Sequence, residues 1–150
     1  MKYIITNGEN LDFVRLCGLL DETLDEIVGN KIDRSKFIPF NTLESIHDVI
    51  LAYNDDVPIG CVSFKKYDDD TAEVKRAFIK KEYRGKGISK QLMKMLIERA
   101  KEKGYTRMVL ETGDLLFESK GLYKSIGFNI IENYGGFKNI EESVCMEKLL

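Results

Sequence analysis

Hydrophobic positions between Ile88 and Ala100 recur on one side of a helix. Ile88, Leu92, Met95 and Leu96 fall at i, i+4, i+7 and i+8, and Ala100 continues the stripe. Gly104, after the charged run Lys101-Glu102-Lys103, is suited to stop it. Upstream the pattern changes. Val74, Phe78 and Ile79 bring β-branched and aromatic residues into a short run, which predicts a strand leading away from Ala72. The same reading predicts a first strand over residues 2–6, closed by Asn7-Gly8. Asn10 is placed to cap a helix with an apolar face of Leu11, Val14, Leu19 and Leu20, running to about Val28 before Gly29-Asn30. Residues 33–41 read as irregular, because Pro39 forbids a clean helix there.

Strands over residues 49–52 and 59–64 flank Asn54-Asp55-Asp56, a hairpin signal, and Asp68-Asp69-Asp70 turns the chain into Ala72. The middle of the chain is therefore a three-stranded meander. A short strand over 107–112 follows the long helix. A helix over 116–125 then stops at Gly127, and strands over 128–131 and 144–149 pair around Tyr134-Gly135-Gly136. The order is one strand, one or two helices, three strands, a helix, a strand, a helix and two strands. It predicts a single α+β domain over residues 1–150, with a mixed, mostly antiparallel sheet of about seven strands and helices on both faces. No internal repeat or interdomain linker interrupts it.

Composition narrows the function. Hydrophobic residues at 43% and charged residues at 32% describe a globular chain. A formal net charge of −2 lacks the basic excess of a nucleic-acid binder. No apolar run approaches the ~18 residues of a membrane span, and no targeting segment is legible at Met1-Lys2-Tyr3-Ile4-Ile5-Thr6, so a cytoplasmic location is expected. Cys17, Cys61 and Cys145 are far apart and odd in number, which suits neither a disulfide framework nor a metal pattern. Cys17 and Cys61 read as small core fillers. His47, the single histidine, supports no metal site by itself and reads as structural or surface. The Asp68–Asp70 run lacks the glycine and distal glutamate of a calcium loop, and no metal is expected.

The candidate chemistry sits at Arg84-Gly85-Lys86-Gly87-Ile88-Ser89, between the strand and the long helix. A helix N-terminus presents unpaired N–H groups and the positive end of the helix dipole. Gly85 and Gly87 let a ligand approach the backbone, and Arg84, Lys86 and Lys90 add cationic donors, with Lys80 and Lys81 near in sequence. Two familiar phosphate loops are excluded. No Gly-Lys-Ser or Gly-Lys-Thr occurs anywhere, and Gly85-Lys86-Gly87 is followed by Ile88-Ser89-Lys90, without the third glycine of a dinucleotide fingerprint. A solvated basic connection is the competing reading of this turn.

In its surroundings the turn resembles the signature Q/R-x-x-G-x-G/A of the GNAT family, the Gcn5-related N-acetyltransferases, with Ser89 where Gly or Ala is usual. Leu122-Tyr123-Lys124-Ser125-Ile126-Gly127-Phe128 is similar to the family's second motif, a helix ending L-Y-x-x-x-G-F, and Leu110-Glu111-Thr112-Gly113 lies between them in the right order. The resemblance is to a small stand-alone bacterial-type member. It implies two central strands that splay to admit acetyl-CoA, and direct transfer of its acetyl group to the amine of a small molecule or peptide. It places the pyrophosphate on the amides of Gly85, Lys86, Gly87, Ile88 and Ser89 with help from Arg84. The pantetheine arm is placed along Phe78, Ile79 and Lys80, with a backbone N–H near Ile79 on the acetyl carbonyl.

The resemblance makes Tyr123 the acid for the departing thiolate, since a phenol is a donor at neutral pH. The other reading of Tyr123 is an amphipathic core tyrosine. Glu73, whose face is shared by Lys75 and Ala77, is the candidate base or a solvated strand carboxylate. Glu111 is the alternative base, and some relatives use none. The acceptor pocket is expected at Phe37, Pro39 and Phe40, at Tyr134 with Phe137, and at Glu111. A homodimer is compatible with the resemblance. A coenzyme-binding sensor or interaction module without turnover is the alternative on the same fold.

Overall fold

Two aspartate turns set the meander. In the computed structural model, which describes residues 1–28, 42–113 and 117–150, β1 (Lys2–Thr6) pairs antiparallel with β2 (Ile46–Asn54). β2 pairs with β3 (Val57–Lys66) across a turn in which Asp55 takes a left-handed φ of 53°. Asp68 and Asp70 then close the turn into β4 (Thr71–Ile79). The Asp70 N–H donates to Asp68 Oδ1 at 3.0 Å, while the Asp70 carbonyl accepts from the N–H groups of Thr106 and Arg107. β5 (Arg107–Gly113) joins β4 in parallel, and β7 (Ser143–Leu149) and β6 (Asn129–Ile131) complete the sheet. The order is β1-β2-β3-β4-β5-β7-β6. The expected sheet of about seven mostly antiparallel strands is present.

Strand alternation divides the core into two clusters. Val49 and Leu51 point to one face, and Ile50 and Ala52 to the other. Helix α1 (Leu11–Val28) covers the first face. Its start is set by Asn10, whose Oδ1 accepts the N–H groups of Asp12 at 2.9 Å and Phe13 at 3.1 Å. Such a cap contributes about 1 kcal/mol. The expected apolar face of α1 is corrected. Leu11, Val14 and Leu19 are 68%, 41% and 39% exposed, while Phe13, Leu16 and Cys17 are buried, with Leu20 packed behind them. Phe13, Leu16, Cys17 and Leu20 keep the i, i+3, i+4, i+7 spacing that the step of five from Val14 to Leu19 breaks, and burying the Phe13 ring removes more apolar area from water.

Helix α2 (Ile88–Glu102) covers the second face with Ile88, Leu92, Met93, Leu96, Ile97 and Ala100. It ends as expected at Gly104, φ 90°. The Tyr105 N–H reaches the Ala100 carbonyl and the Gly104 N–H reaches that of Lys101, a Schellman closure. Asp48 of β2, 5% exposed, meets Arg99 at 3.1 Å and Lys103 at 2.7 Å, which holds the C-terminal half of α2 to the sheet. Helix α3 (Phe117–Ser125) adds Leu122 and Tyr123 to the same cluster. Cys17, Cys61 and Cys145 are all buried with free thiols, and His47 is exposed. No described helix is long and apolar enough to cross a membrane.

Candidate active site

The sheet opens between β4 and β5. Only Thr71, Ala72 and Glu73 are in register with Arg107, Met108 and Val109; beyond Glu73, β5 continues to pair with β7 alone. The remainder of β4 thus presents backbone groups to an open wedge. Lys80 N–H donates to the Ile59 carbonyl on the β3 side at 2.8 Å, so strand alternation turns the Ile79 N–H toward the wedge. The Ile79 carbonyl accepts from Arg84 Nε at 3.0 Å, which folds that side chain back over the strand end and against the Phe78 ring, 5.9 Å from its centroid.

A bulge re-aims β4 in the same stretch. Phe78 stands opposite Cys61 and Lys75 opposite Ser63, so three steps of β4 face two of β3. The extra residue is accommodated at Arg76, which takes a left-handed φ of 54°. For a non-glycine residue that conformation costs on the order of 1 kcal/mol. The buried contacts of its side chain hold it there: Nη2 donates to the Cys17 carbonyl at 2.8 Å and to Asp21 Oδ1 at 3.0 Å.

At the open end of the wedge the chain makes a short 3-10 turn, Lys81–Tyr83, and then the glycine turn. Gly85 and Gly87 hold φ of 76° and 79°, left-handed values that glycine adopts without penalty. A Cβ on either would meet nothing within 4 Å, so their surface is open to a ligand. Gly87 is the N-cap of α2 and supplies no side chain. The first helical bond runs from the Gln91 N–H to the Gly87 carbonyl, which leaves the N–H groups of Ile88, Ser89 and Lys90 at the helix end. Lys86 Nζ lies 5.5 Å from the centre of the Tyr83 ring, and the Tyr83 hydroxyl accepts from Asn54 Nδ2 at 3.1 Å. The turn is thereby tied to the β2–β3 hairpin, while Gly85, Lys86 and Gly87 are exposed. This geometry suits a polyanion.

Tyr123 is positioned by the end of α3. The Phe128 N–H bonds the Tyr123 carbonyl, the Gly127 N–H bonds that of Lys124, and Gly127 takes φ 100°. This is again a Schellman closure, in which residues at the Tyr123 and Phe128 positions meet. Their rings do so edge to face at 5.8 Å. The spacing of L-Y-x-x-x-G-F is thus the spacing of a helix stop that buries a tyrosine beside the wedge. Burial, and then the charge of Glu111, pushes the Tyr123 phenol up to about 12.

Glu73 and Lys75 leave β4 on the face opposite α2. Glu73 is 4% exposed. One of its carboxylate oxygens accepts from the Tyr134 hydroxyl at 2.6 Å and lies 3.5 Å from Lys75 Nζ. Burial lowers the Lys75 ammonium against the pull of Glu73, and burial with the Glu73 charge raises the Tyr134 phenol. Tyr134 stands edge to face with Tyr67 at 5.2 Å and with Phe137 at 5.6 Å, and Lys75 Nζ lies 5.6 Å from the Phe137 ring centre. The charge of Glu111 reaches Tyr123, Tyr134 and Lys75 alike.

The structure therefore gathers Tyr123, Glu111, Glu73 and Tyr134 about the wedge and its floor, with the glycine turn at the open end. Phe37, Pro39 and Phe40 lie outside the described residues. Sequence reasoning left Lys75 as a mere companion on the Glu73 face and did not find the Arg76 bulge. Alternation carried the first signal; a bulge leaves none. Among the described residues no three His, Cys, Asp or Glu side chains form a metal-binding group.

The Acetyltransferase (GNAT) family model matches residues 17–128. An uncharacterized N-acetyltransferase of Bacillus subtilis, YsnE, is 35% identical over 101 residues, which cover 66% of this chain and 67% of that protein. The crystal structure of a GNAT family acetyltransferase from Elizabethkingia anophelis with acetyl-CoA bound superimposes with a TM-score of 0.66 at 28% identity, covering 79% of this chain and 85% of that one. The PaiA N-acetyltransferase of Thermoplasma acidophilum, solved in complex with coenzyme A, shares the fold with a TM-score of 0.74 at 21% identity, over 100% of both chains.

Proposed function

Since this chain belongs to the GNAT acetyltransferase family, we propose that it moves the acetyl group of acetyl-CoA directly onto a primary amine of a small molecule or peptide. The observation that carries this reading is the wedge between β4 and β5, with the exposed glycine turn and the N-terminus of α2 at its open end and Tyr123 and Glu111 beside it.

The pyrophosphate of acetyl-CoA rests on the amides from Gly85 to Ser89, with Lys86 and Arg84 adding positive charge. The pantetheine arm runs along β4 at Phe78, Ile79 and Lys80 as an added strand, and the Ile79 N–H polarises the acetyl carbonyl. The amine attacks the carbonyl carbon, the C–S bond breaks, and Tyr123 gives its proton to the departing thiolate. Glu111 and Tyr134 line the acceptor pocket, and the carboxylates attract an ammonium into it. Glu73 is the base. Its carboxylate is covered by Tyr134, so the amine proton passes to it by way of that hydroxyl. Glu111 is the alternative acceptor of that proton.

The test is calorimetric titration with acetyl-CoA, coenzyme A, ATP and NAD, followed by thiol release with a panel of primary amines. Selective acetyl-CoA binding and amine-dependent thiol release are expected. Binding without release for every amine would favour a coenzyme sensor on the same fold, and tight binding of ATP or NAD in place of acetyl-CoA would overturn the reading.

A further inference from the structure

The proposed chemistry assigns no role to Lys75, whose ammonium stands at the carboxylate read as the base. Strand alternation puts Lys75 on the same face of β4 as Glu73. Its backbone is pinned just before the Arg76 bulge, where the Lys75 carbonyl accepts from the buried Ser63 hydroxyl at 2.6 Å. The Lys75 side chain is 10% exposed and that of Glu73 is 5% exposed.

Two partners meet one oxygen. Glu73 Oε2 accepts from the Tyr134 hydroxyl at 2.6 Å, and Lys75 Nζ lies 3.5 Å from the same atom. The first distance is that of a short hydrogen bond; the second is that of an ion pair. Tyr134 therefore sets the direction of the carboxylate, and Lys75 supplies the opposite charge. Phe137 seats both. Its ring stands edge to face with Tyr134 at 5.6 Å, and Lys75 Nζ lies 5.6 Å from its centre. Burial works against the Lys75 ammonium first of all; Glu73 and Glu111 of β5 favour it, and Lys65 of β3 opposes it.

A carboxylate buried without a counter-charge is driven to take up a proton, and a protonated carboxyl cannot accept one from an amine. The Tyr134 hydroxyl is neutral, so it cannot supply that charge. Lys75 can, and it does so where screening by water is weak.

We infer that Lys75 is a positioning residue for the transfer reaction: its ammonium, seated on Phe137, compensates the buried Glu73 carboxylate and holds it turned to the Tyr134 hydroxyl. The inference deepens the reading of Glu73 as the base and rests on it.

The experiment is a double-variant cycle with two readouts. Lys75→Met keeps the stem and removes the charge, Lys75→Arg keeps the charge, and Glu73→Gln removes the carboxylate. Thiol release from acetyl-CoA is followed with 1,4-diaminobutane, benzylamine or trialanine, whichever is fastest with the wild type. Lys75→Met should lower kcat by about tenfold, a fraction of the roughly 10²-fold at the lower end of acid–base catalysis, with amine KM and calorimetric acetyl-CoA affinity unchanged. In Glu73→Gln the same change should leave kcat where Glu73→Gln puts it, because no carboxylate remains to be held. Lys75→Arg should recover part of the loss. The second readout needs no turnover. Lys75→Met should lower the urea midpoint, and should lower it much less in Glu73→Gln, where no buried charge is stranded. Equal fold losses of kcat in the two backgrounds, or equal falls in the midpoint, would make Lys75 a packing residue and overturn the assignment. A slow Glu73→Gln beside a fully active Lys75→Met would overturn the assignment alone. A Glu73→Gln as fast as the wild type would overturn the base reading, and Lys75 with it. Should Lys75→Met fail to fold, Lys75→Gln supplies the neutral comparison.

Discussion

The Tyr134 hydroxyl donates to a Glu73 carboxylate oxygen at 2.6 Å, joining residues 61 apart in sequence across the floor of the splayed sheet. The bond decides how Glu73 can act. The carboxylate is almost wholly covered, so in the proposed mechanism a proton reaches it by way of the Tyr134 hydroxyl. If the two form one relay, Tyr134→Phe and Glu73→Gln should each lower kcat by about 10²-fold, the lower end of acid–base catalysis. The double variant should then be no slower than the slower single one, as for residues acting as a unit. Calorimetric affinity for acetyl-CoA should stay unchanged in all three. Initial rates of thiol release across the cycle measure this, and losses that multiply would show that the two residues act separately. Tyr134→Phe should also cost about 2 kcal/mol in stability, because it removes a buried hydrogen bond to a charged group.

Gly87 is under two distinct demands. Its φ of 79° favours glycine, while its surroundings leave a Cβ unobstructed. Gly87→Ala should therefore lower stability by about 1 kcal/mol through backbone strain alone and keep most of the acetyl-CoA affinity. Gly87→Glu carries the same strain and adds a negative charge where the phosphates are proposed to rest. It should fold with an unchanged circular dichroism spectrum and show no calorimetric binding. Equal affinity for the glutamate and alanine variants would dismiss the pyrophosphate assignment.

The features that sequence alone made legible are those whose partners are near in the chain. The glycine turn runs directly into α2, and the stop of α3 at Gly127 is set within one turn, so local spacing carried both, while Tyr123 itself was marked by the motif it resembles. The α1 face was misread because the aliphatic residues Leu11, Val14 and Leu19 were taken as the face, although the step of five from Val14 to Leu19 breaks the helical spacing that Phe13, Leu16 and Cys17 keep. The latter set is the one that packs with Ile46, Val49 and Leu51 of β2. The Arg76 bulge is a register slip between β3 and β4, and no property of Arg76 itself announces it. The cover that Tyr134 places over Glu73 likewise needs the order of the sheet, which brings the β6–β7 connection back toward β4.

Asp48 holds the long helix whose other end forms the glycine turn. It is buried, but its partners Arg99 and Lys103 have about a third of their side chains exposed. Removing it leaves both cations able to turn to water. Asp48→Ala should then cost about 3 kcal/mol, at the low end for breaking a buried pair, since the stranded charges are not fully buried. In urea the midpoint should fall with an unchanged slope. A loss below about 1 kcal/mol, the range of surface pairs, would show that the pair does not hold the helix.

As the proposed acid, Tyr123 would link stability and catalysis through one proton. Its phenol is pushed from the ordinary 10 up to about 12, by burial first and the Glu111 charge second. Folding therefore favours the protonated form. That contribution is complete below pH 10 and is lost as pH rises through the folded value. The two-unit interval corresponds to on the order of 2–3 kcal/mol at most. Tyr53, raised to about 12 by burial and by Asp12, and Tyr134, raised further by burial and Glu73, act with the same sign. Denaturant midpoints should stay level from pH 8 to pH 10 and fall between pH 10 and pH 12, and Tyr123→Phe should make that fall shallower. In the proposed mechanism the same proton goes to the departing thiolate. Because the hydroxyl remains protonated well above neutrality, kcat of the wild type should show no alkaline loss from this group below pH 10. Tyr123→Phe should lower kcat across the profile without moving its shape and leave acetyl-CoA affinity intact. Equal rates for the two proteins would return Tyr123 to a packing role. An alkaline fall near pH 9 that vanishes in Tyr123→Phe would show that the working phenol is not the buried, raised one described by the structure.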